Sequence, residues 1–204
     1  MKKVTVSLVA LLFAFSQSAF AASVSKPPVN VSAIVSSSLS LNLALFKNSV
    51  AAPNDITAGN AMPFGTLQNI GTGTLRSSPT GSTGIGSVVA LLSAISTGAP
   101  YTITQNGTIM TSGANTLPAG ATTVVPVYSP EDNGGAPLVG TMGTPATWVN
   151  ASKVLYTSNA AADTRVIQAH YSVTDDPAAG ATTGVPLSQA AGTYTATVTF
   201  TVTT

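Results

Sequence analysis

Apolar residues recur at every second position over long stretches of this chain. From Val29 the odd positions read Val29, Val31, Ala33, Val35, Ser37, Leu39, Leu41, Leu43 and Leu45. The even positions read Asn30, Ser32, Ile34, Ser36, Ser38, Ser40, Asn42, Ala44 and Phe46. A period of two is the repeat of a β-strand, with one face turned in and the other out. At ~3.3 Å per residue, Val29 to Leu45 would span about 56 Å, far beyond an ordinary strand. The run is therefore expected to break near Ser36-Ser37-Ser38, leaving a leading arm at 22–36 and a body strand from Leu39 to Phe46. Lys26-Pro27-Pro28 stiffens the arm in an extended form that cannot join a central ladder.

The same periodicity closes the sequence. Tyr194, Ala196, Val198, Phe200 and Val202 alternate with Thr193, Thr195, Thr197, Thr199, Thr201 and Thr203. β-Branched threonine suits an exposed strand face. Arg165 to Val173 repeats the pattern, with Ile167, Ala169, Tyr171 and Val173 on one face, and Asp175-Asp176-Pro177 ends it in a turn. Thr122–Tyr128 and Lys153–Thr157 read as further strands, with Pro126 near an edge or bulge. Val88–Ile95 is an apolar run read as a strand from its surroundings. Met62–Leu67 reads as a short edge strand, because Pro63 keeps it out of a central position. Asn106-Gly107, flanked by Tyr101–Gln105 and Thr108–Ser112, predicts a two-residue hairpin turn. Loops are expected over 48–61, 71–86 and 129–147. Eight to ten short strands separated by turn signals predict an all-β, antiparallel, immunoglobulin-like sandwich over 37–204, with an extended N-terminal arm.

The first residues have a different character. Lys2 and Lys3 precede an apolar stretch from Val4 to Phe15, a polar break at Ser16-Gln17-Ser18, and small residues at Ala19 and Ala21. This is the layout of a secretory signal peptide at 1–21, cleaved after Ala21 or Ala22. The apolar run is shorter than the ~20 residues a spanning helix needs, so no membrane span is expected in the mature chain. Loss of Lys2 and Lys3 leaves five basic residues against six acidic ones, a net charge of −1. The five are scattered, whereas phosphate binding needs them clustered, so nucleic acid is excluded as an expected partner.

Export without cysteine means that packing and backbone ladders alone must hold the fold. With 44% hydrophobic residues the chain is rich enough to build a core. Only 6% of residues are charged, against about 25% in a usual soluble protein. Charge keeps surfaces and sheet edges apart. A Thr, Ser, Asn and Gly surface does not repel its own copies.

Candidate catalytic groups are few. His170 is the one histidine, and it is out of phase with Ile167, Ala169, Tyr171 and Val173, so it is expected to face solvent. A single histidine without cysteine does not suit a zinc or copper site. Glu131-Asp132 and Asp175-Asp176 are adjacent pairs in predicted turns, not converging carboxylates. Glu131-Asp132-Asn133-Gly134-Gly135 lacks the alternating ligands of a calcium loop. Trp148 reads as a core plug, with ligand stacking as the alternative. No enzyme activity, metal or cofactor is expected.

The order of signal peptide, alternating extended arm, β-sandwich and closing run Gly192-Thr193-Tyr194-Thr195-Ala196-Thr197-Val198-Thr199-Phe200-Thr201-Val202 resembles bacterial fimbrial subunits of the chaperone–usher type and the related spore-coat-U-like domains. The resemblance implies a pilus subunit at the cell surface, exported through the periplasm, that polymerises with its own copies by strand donation, supports adhesion or biofilm formation and uses a periplasmic chaperone and an outer-membrane usher. It implies Val29, Val31, Ala33 and Val35 as donor residues, and Tyr194, Ala196, Val198, Phe200 and Val202 as the acceptor groove. The alternative is a monomeric secreted adhesin or carbohydrate-binding module with exposed aromatics near Trp148 or Tyr128.

Overall fold

The computed structural model describes residues 39–47, 62–69, 71, 73–77, 88–129, 140–159 and 164–204. The expected signal peptide, the arm with its donor residues Val29, Val31, Ala33 and Val35, and the 48–61 loop lie outside the described residues.

The described chain is all-β. In chain order its strands are β1 (Leu39–Lys47), β2 (Gln68–Asn69), β3 (Thr74–Arg76), β4 (Val88–Ser96), β5 (Thr102–Gly107), β6 (Thr111–Ser112) and β7 (Asn115–Thr116). There follow β8 (Thr122–Tyr128), β9 (Gly140–Met142), β10 (Ala146–Thr147), β11 (Lys153–Ser158), β12 (Thr164–Val173), β13 (Val185–Pro186) and β14 (Val198–Thr203). The two helical elements are single 3-10 turns, Ala119–Ala121 and Pro177–Ala179. The second is capped by Asp176, whose Oδ1 accepts from the Ala178 N–H at 2.9 Å, so the predicted turn after β12 is where it was expected.

Two antiparallel sheets make the sandwich. One has the order β1-β4-β12-β8-β10, the other β14-β5-β11-β9. A small sheet, β13-β3-β2, and the hairpin β6-β7 complete the fold. Register sets the inner face of the larger sheet. Leu41 pairs with Ala94, Leu43 with Leu92 and Leu45 with Ala90, while Ile167 and Ala169 pair with Leu92 and Ala90 from the other side. Directly opposed residues point to the same face. These positions therefore form one apolar layer, in which Ala90, Leu92, Ile167, Ala169 and Tyr171 have no exposed surface. The facing layer comes from Ile103, Gln105 and Tyr156, with Phe200 opposite Gln105 and Val202 opposite Ile103. Edge-on aromatic contacts stitch the layers together. Tyr171 stands 6.1 Å from Trp148 and 6.2 Å from Phe200, ring centre to ring centre.

Several expectations are corrected. Asn106-Gly107 is not a turn. Both residues continue β5, opposite Thr199 and Val198, and the hairpin turn falls instead at Gly113, φ 59°, between β6 and β7. The glycine at 107 has another reason. A Cβ there would overlap Cε3 of Trp148 and stand 2.7 Å from its carbonyl oxygen. The indole is seated on the bare backbone of β5.

The 62–67 segment forms no ladder, and the strand begins after it at Gln68. The glycine-rich 71–86 region contains β3, and the expected 129–147 loop contains β9 and β10. In β11 the register slips between Val154 and Tyr156. This bulge turns the consecutive residues Leu155 and Tyr156 both inward, each with no exposed surface, which simple alternation does not allow. Pro126 sits within β8, beyond the reach of β10, which pairs with Thr123 and Val124 only. Its missing N–H therefore costs no described ladder bond on that side.

Candidate functional site

The expected acceptor groove comes from the last alternating run, and the structure divides it. Only Val198–Thr203 is strand. Val198, Phe200 and Val202 alternate inward and are half-buried, against exposed Thr199, Thr201 and Thr203. Tyr194 and Ala196 precede the strand, in a stretch tied down differently. Thr111 and Thr195 exchange backbone hydrogen bonds at 2.9 Å in both directions, and Thr108 N–H donates to Thr197 O at 2.9 Å.

Among the described residues β14 pairs with β5 alone, so its other edge presents backbone groups not paired to a strand. β1 is likewise the outermost strand of the larger sheet, paired with β4 alone, and it approaches β14 across the sandwich. The two edges form a seam along one side of the molecule. Inward-facing residues at the centre of the larger sheet, such as Leu92 and Ile167, are closed off from solvent. Those at the seam are not: Leu39 is 37% exposed and Leu43 is 42% exposed, although both share the face of buried Leu45. About two-fifths of each side chain is uncovered, which forgoes roughly 0.6–1.2 kcal/mol apiece of the burial free energy of a leucine. These two leucines were absent from the expected site. Their signal was in the sequence, because Leu39, Leu41, Leu43 and Leu45 are an unbroken apolar face. Which of them lacked a cover depended on the strand order.

Beyond the start of β14 lies a cavity of about 1100 Å³. One wall is the 62–67 segment, with Met62, Phe64 and Leu67. The other is the 189–198 strap, which includes Tyr194, Ala196 and Val198. The floor is Met110, Leu117, Trp148 and Val173. The strap is clasped from within. Gln189 Nε2 donates to the Thr116 carbonyl at 3.1 Å and to Tyr194 Oη at 2.6 Å, and that hydroxyl donates to the Ala190 carbonyl at 2.7 Å. Three expected groove residues thus line the cavity, while Phe200 and Val202 belong to the seam.

His170 has the expected phase but a different setting. It points away from the core layer, between Val89 and Val125 on the neighbouring strands, yet it is only 8% exposed. Its Nε2 lies 2.9 Å from Gln168 Oε1, and Gln168 Nε2 donates to Ser129 Oγ at 3.2 Å. Desolvation lowers its pKa to about 4, so it is neutral at pH 7. Near the small sheet, Asp175 is pushed up by desolvation, but the Thr74 hydroxyl, donating at 2.6 Å, and the Arg76 guanidinium outweigh this and hold the carboxyl below its ordinary range. Trp148 is 1% exposed, a core plug rather than a stacking platform. Among the described residues, no three His, Asp or Glu side chains come together as a metal site would require.

Compared with family models, curated proteins and solved structures, the chain matches none.

Proposed function

We propose that the chain is an exported structural subunit of a surface fibre, built from its own copies by strand donation. The observation that carries this reading is the seam. Two neighbouring sheet edges lie open among the described residues, and Leu39 and Leu43 on the inner face between them are 37% and 42% exposed. A strand with apolar residues at every second position would satisfy both needs: its backbone would pair with β14, and its side chains would cover the leucines. Val29, Val31, Ala33 and Val35 supply such a pattern. A surface with few charges raises no barrier to the approach of another copy. The adhesin or glycan-binding alternative relies on exposed aromatics, and burial of Trp148 removes its best platform.

The reading is tested on the mature protein in two forms, with and without residues 22–35. Electron microscopy of the full mature form is expected to show filaments, and the truncated form is expected to remain dispersed. Filaments from both forms alike would sink strand donation by the arm.

A further inference from the structure

We propose that the donated arm is held in a single register, with Ala33 of one copy opposite Phe200 of the next. The inference rests on the strand-donation reading and goes a step beyond it. A strand of period two can slide by two residues and still present the same face. Alternation alone therefore leaves the register open, and the sizes of the side chains must decide it.

The acceptor side chains on β14 are unequal. Its inward positions are Val198, Phe200 and Val202, with the bulkiest in the middle. Phe200 has little freedom to retreat. Its ring meets Tyr171 edge-on at 6.2 Å, and Tyr171 has no exposed surface and stands 6.1 Å from Trp148. A close-packed interior of this kind does not yield to a ring pushed inward. The donor side chains are unequal in the opposite sense, because Val29, Val31 and Val35 are alike and Ala33 is smaller. Directly opposed side chains on neighbouring strands touch, and a large one packs best against a small one. Ala33 opposite Phe200 also sets Val31 and Val35 opposite Val198 and Val202, whichever way the donated strand runs. Sliding by two residues sets a valine against the ring and Ala33 against a valine, so that one position is overpacked and the other underfilled.

β1 supplies the second observation. Along its inner face Leu39 is 37% exposed, Leu41 is half-buried and Leu43 is 42% exposed. Two larger gaps thus lie four residues apart with a smaller one between them. Val31 and Val35 are likewise four residues apart with Ala33 between them. The register that relieves crowding at Phe200 also gives the larger donor side chains the spacing of the larger gaps.

The test enlarges the donor and then makes room in the acceptor. It uses the full mature protein, and it reads the critical concentration for filaments by pelleting. Ala33→Leu leaves no small residue among the four donor positions, and is expected to raise the critical concentration about tenfold or more. Adding Phe200→Ala is expected to bring it back to within about threefold of the unaltered protein. Phe200→Leu is the milder substitution, should urea melts show that the first has unfolded. Val31→Leu is expected to change the critical concentration by less than about threefold and to gain nothing from Phe200→Ala. The form lacking residues 22–35 is run alongside. If it stays dispersed while Ala33→Leu assembles as the unaltered protein does, the register is wrong and strand donation stands. The register is equally wrong if a smaller residue at 200 relieves Val31→Leu and not Ala33→Leu. Filaments from the form without the arm would overturn both.

Discussion

At the scale of single residues, one glycine and one histidine show how context decides. Gly107 looks like half of a hairpin turn, yet it is a strand residue that makes room for an indole. If so, Gly107→Ala is overpacked and should cost about 1–3 kcal/mol. Asn106→Ala, exposed on the same strand, should change stability by less than about 0.5 kcal/mol. Urea midpoints check this, since a turn would make both substitutions costly. His170 carries a pH prediction. Its folded pKa of about 4 lies below the ordinary 6.5. Between those values the unfolded chain binds a proton that the folded chain refuses, so stability is full above about pH 6.5 and falls as pH drops towards 4. The loss approaches about 3 kcal/mol. His170→Gln should flatten the urea midpoint over that window. Asp175 acts in the same direction but lower: its depressed carboxyl keeps its stabilising pairing until pH falls through the lowered pKa, and this part should persist in the variant.

At the scale of elements, the long apolar runs were a good guide in the centre of the larger sheet, and a poorer one in β5 and β11 of the other. β4, β8 and β12 fall within one residue of their expected bounds, because each has a continuous apolar face to bury. Two-residue strands such as β2 and β10 were not legible, since so short a run has no period and exists only through its partner. The bulge in β11 was hidden for a related reason: Leu155 and Tyr156 are both inward only because β5 accepts the slip. The candidate site was legible in part. The inward phase of Val198, Phe200 and Val202 was read from the pattern and their role as a groove only from the resemblance, whereas the exposed leucines on β1 and the wall at 62–67 required the strand order. Edge and centre should respond differently to substitution. Leu92→Ala, with no exposed surface, should cost about 2–5 kcal/mol. Leu43→Asn, 42% exposed on the edge, should cost under about 1 kcal/mol yet sharply reduce filament yield. Denaturation curves and pelleting assays of the two variants separate these effects.

At the scale of the whole molecule, the account joins three features. The chain has few charges to keep copies apart and no cysteine to staple it. Its sandwich buries the centre of the core and leaves Leu39 and Leu43 exposed at the β1–β14 seam. An alternating arm precedes the body strand in sequence. A fibre subunit uses all three, because low charge permits close approach, the seam needs a strand, and the arm supplies one. The expected secretory signal fits the same use, since its cleavage at about Ala21 would free the end of the arm. The most direct measurement is electron microscopy of the mature protein truncated by residues 22–35, with a synthetic peptide of that sequence added in excess. The account predicts that the truncated subunit binds one peptide and forms no filaments, while the untruncated protein polymerises. Filaments from the truncated subunit, or no binding of the peptide, would contradict it.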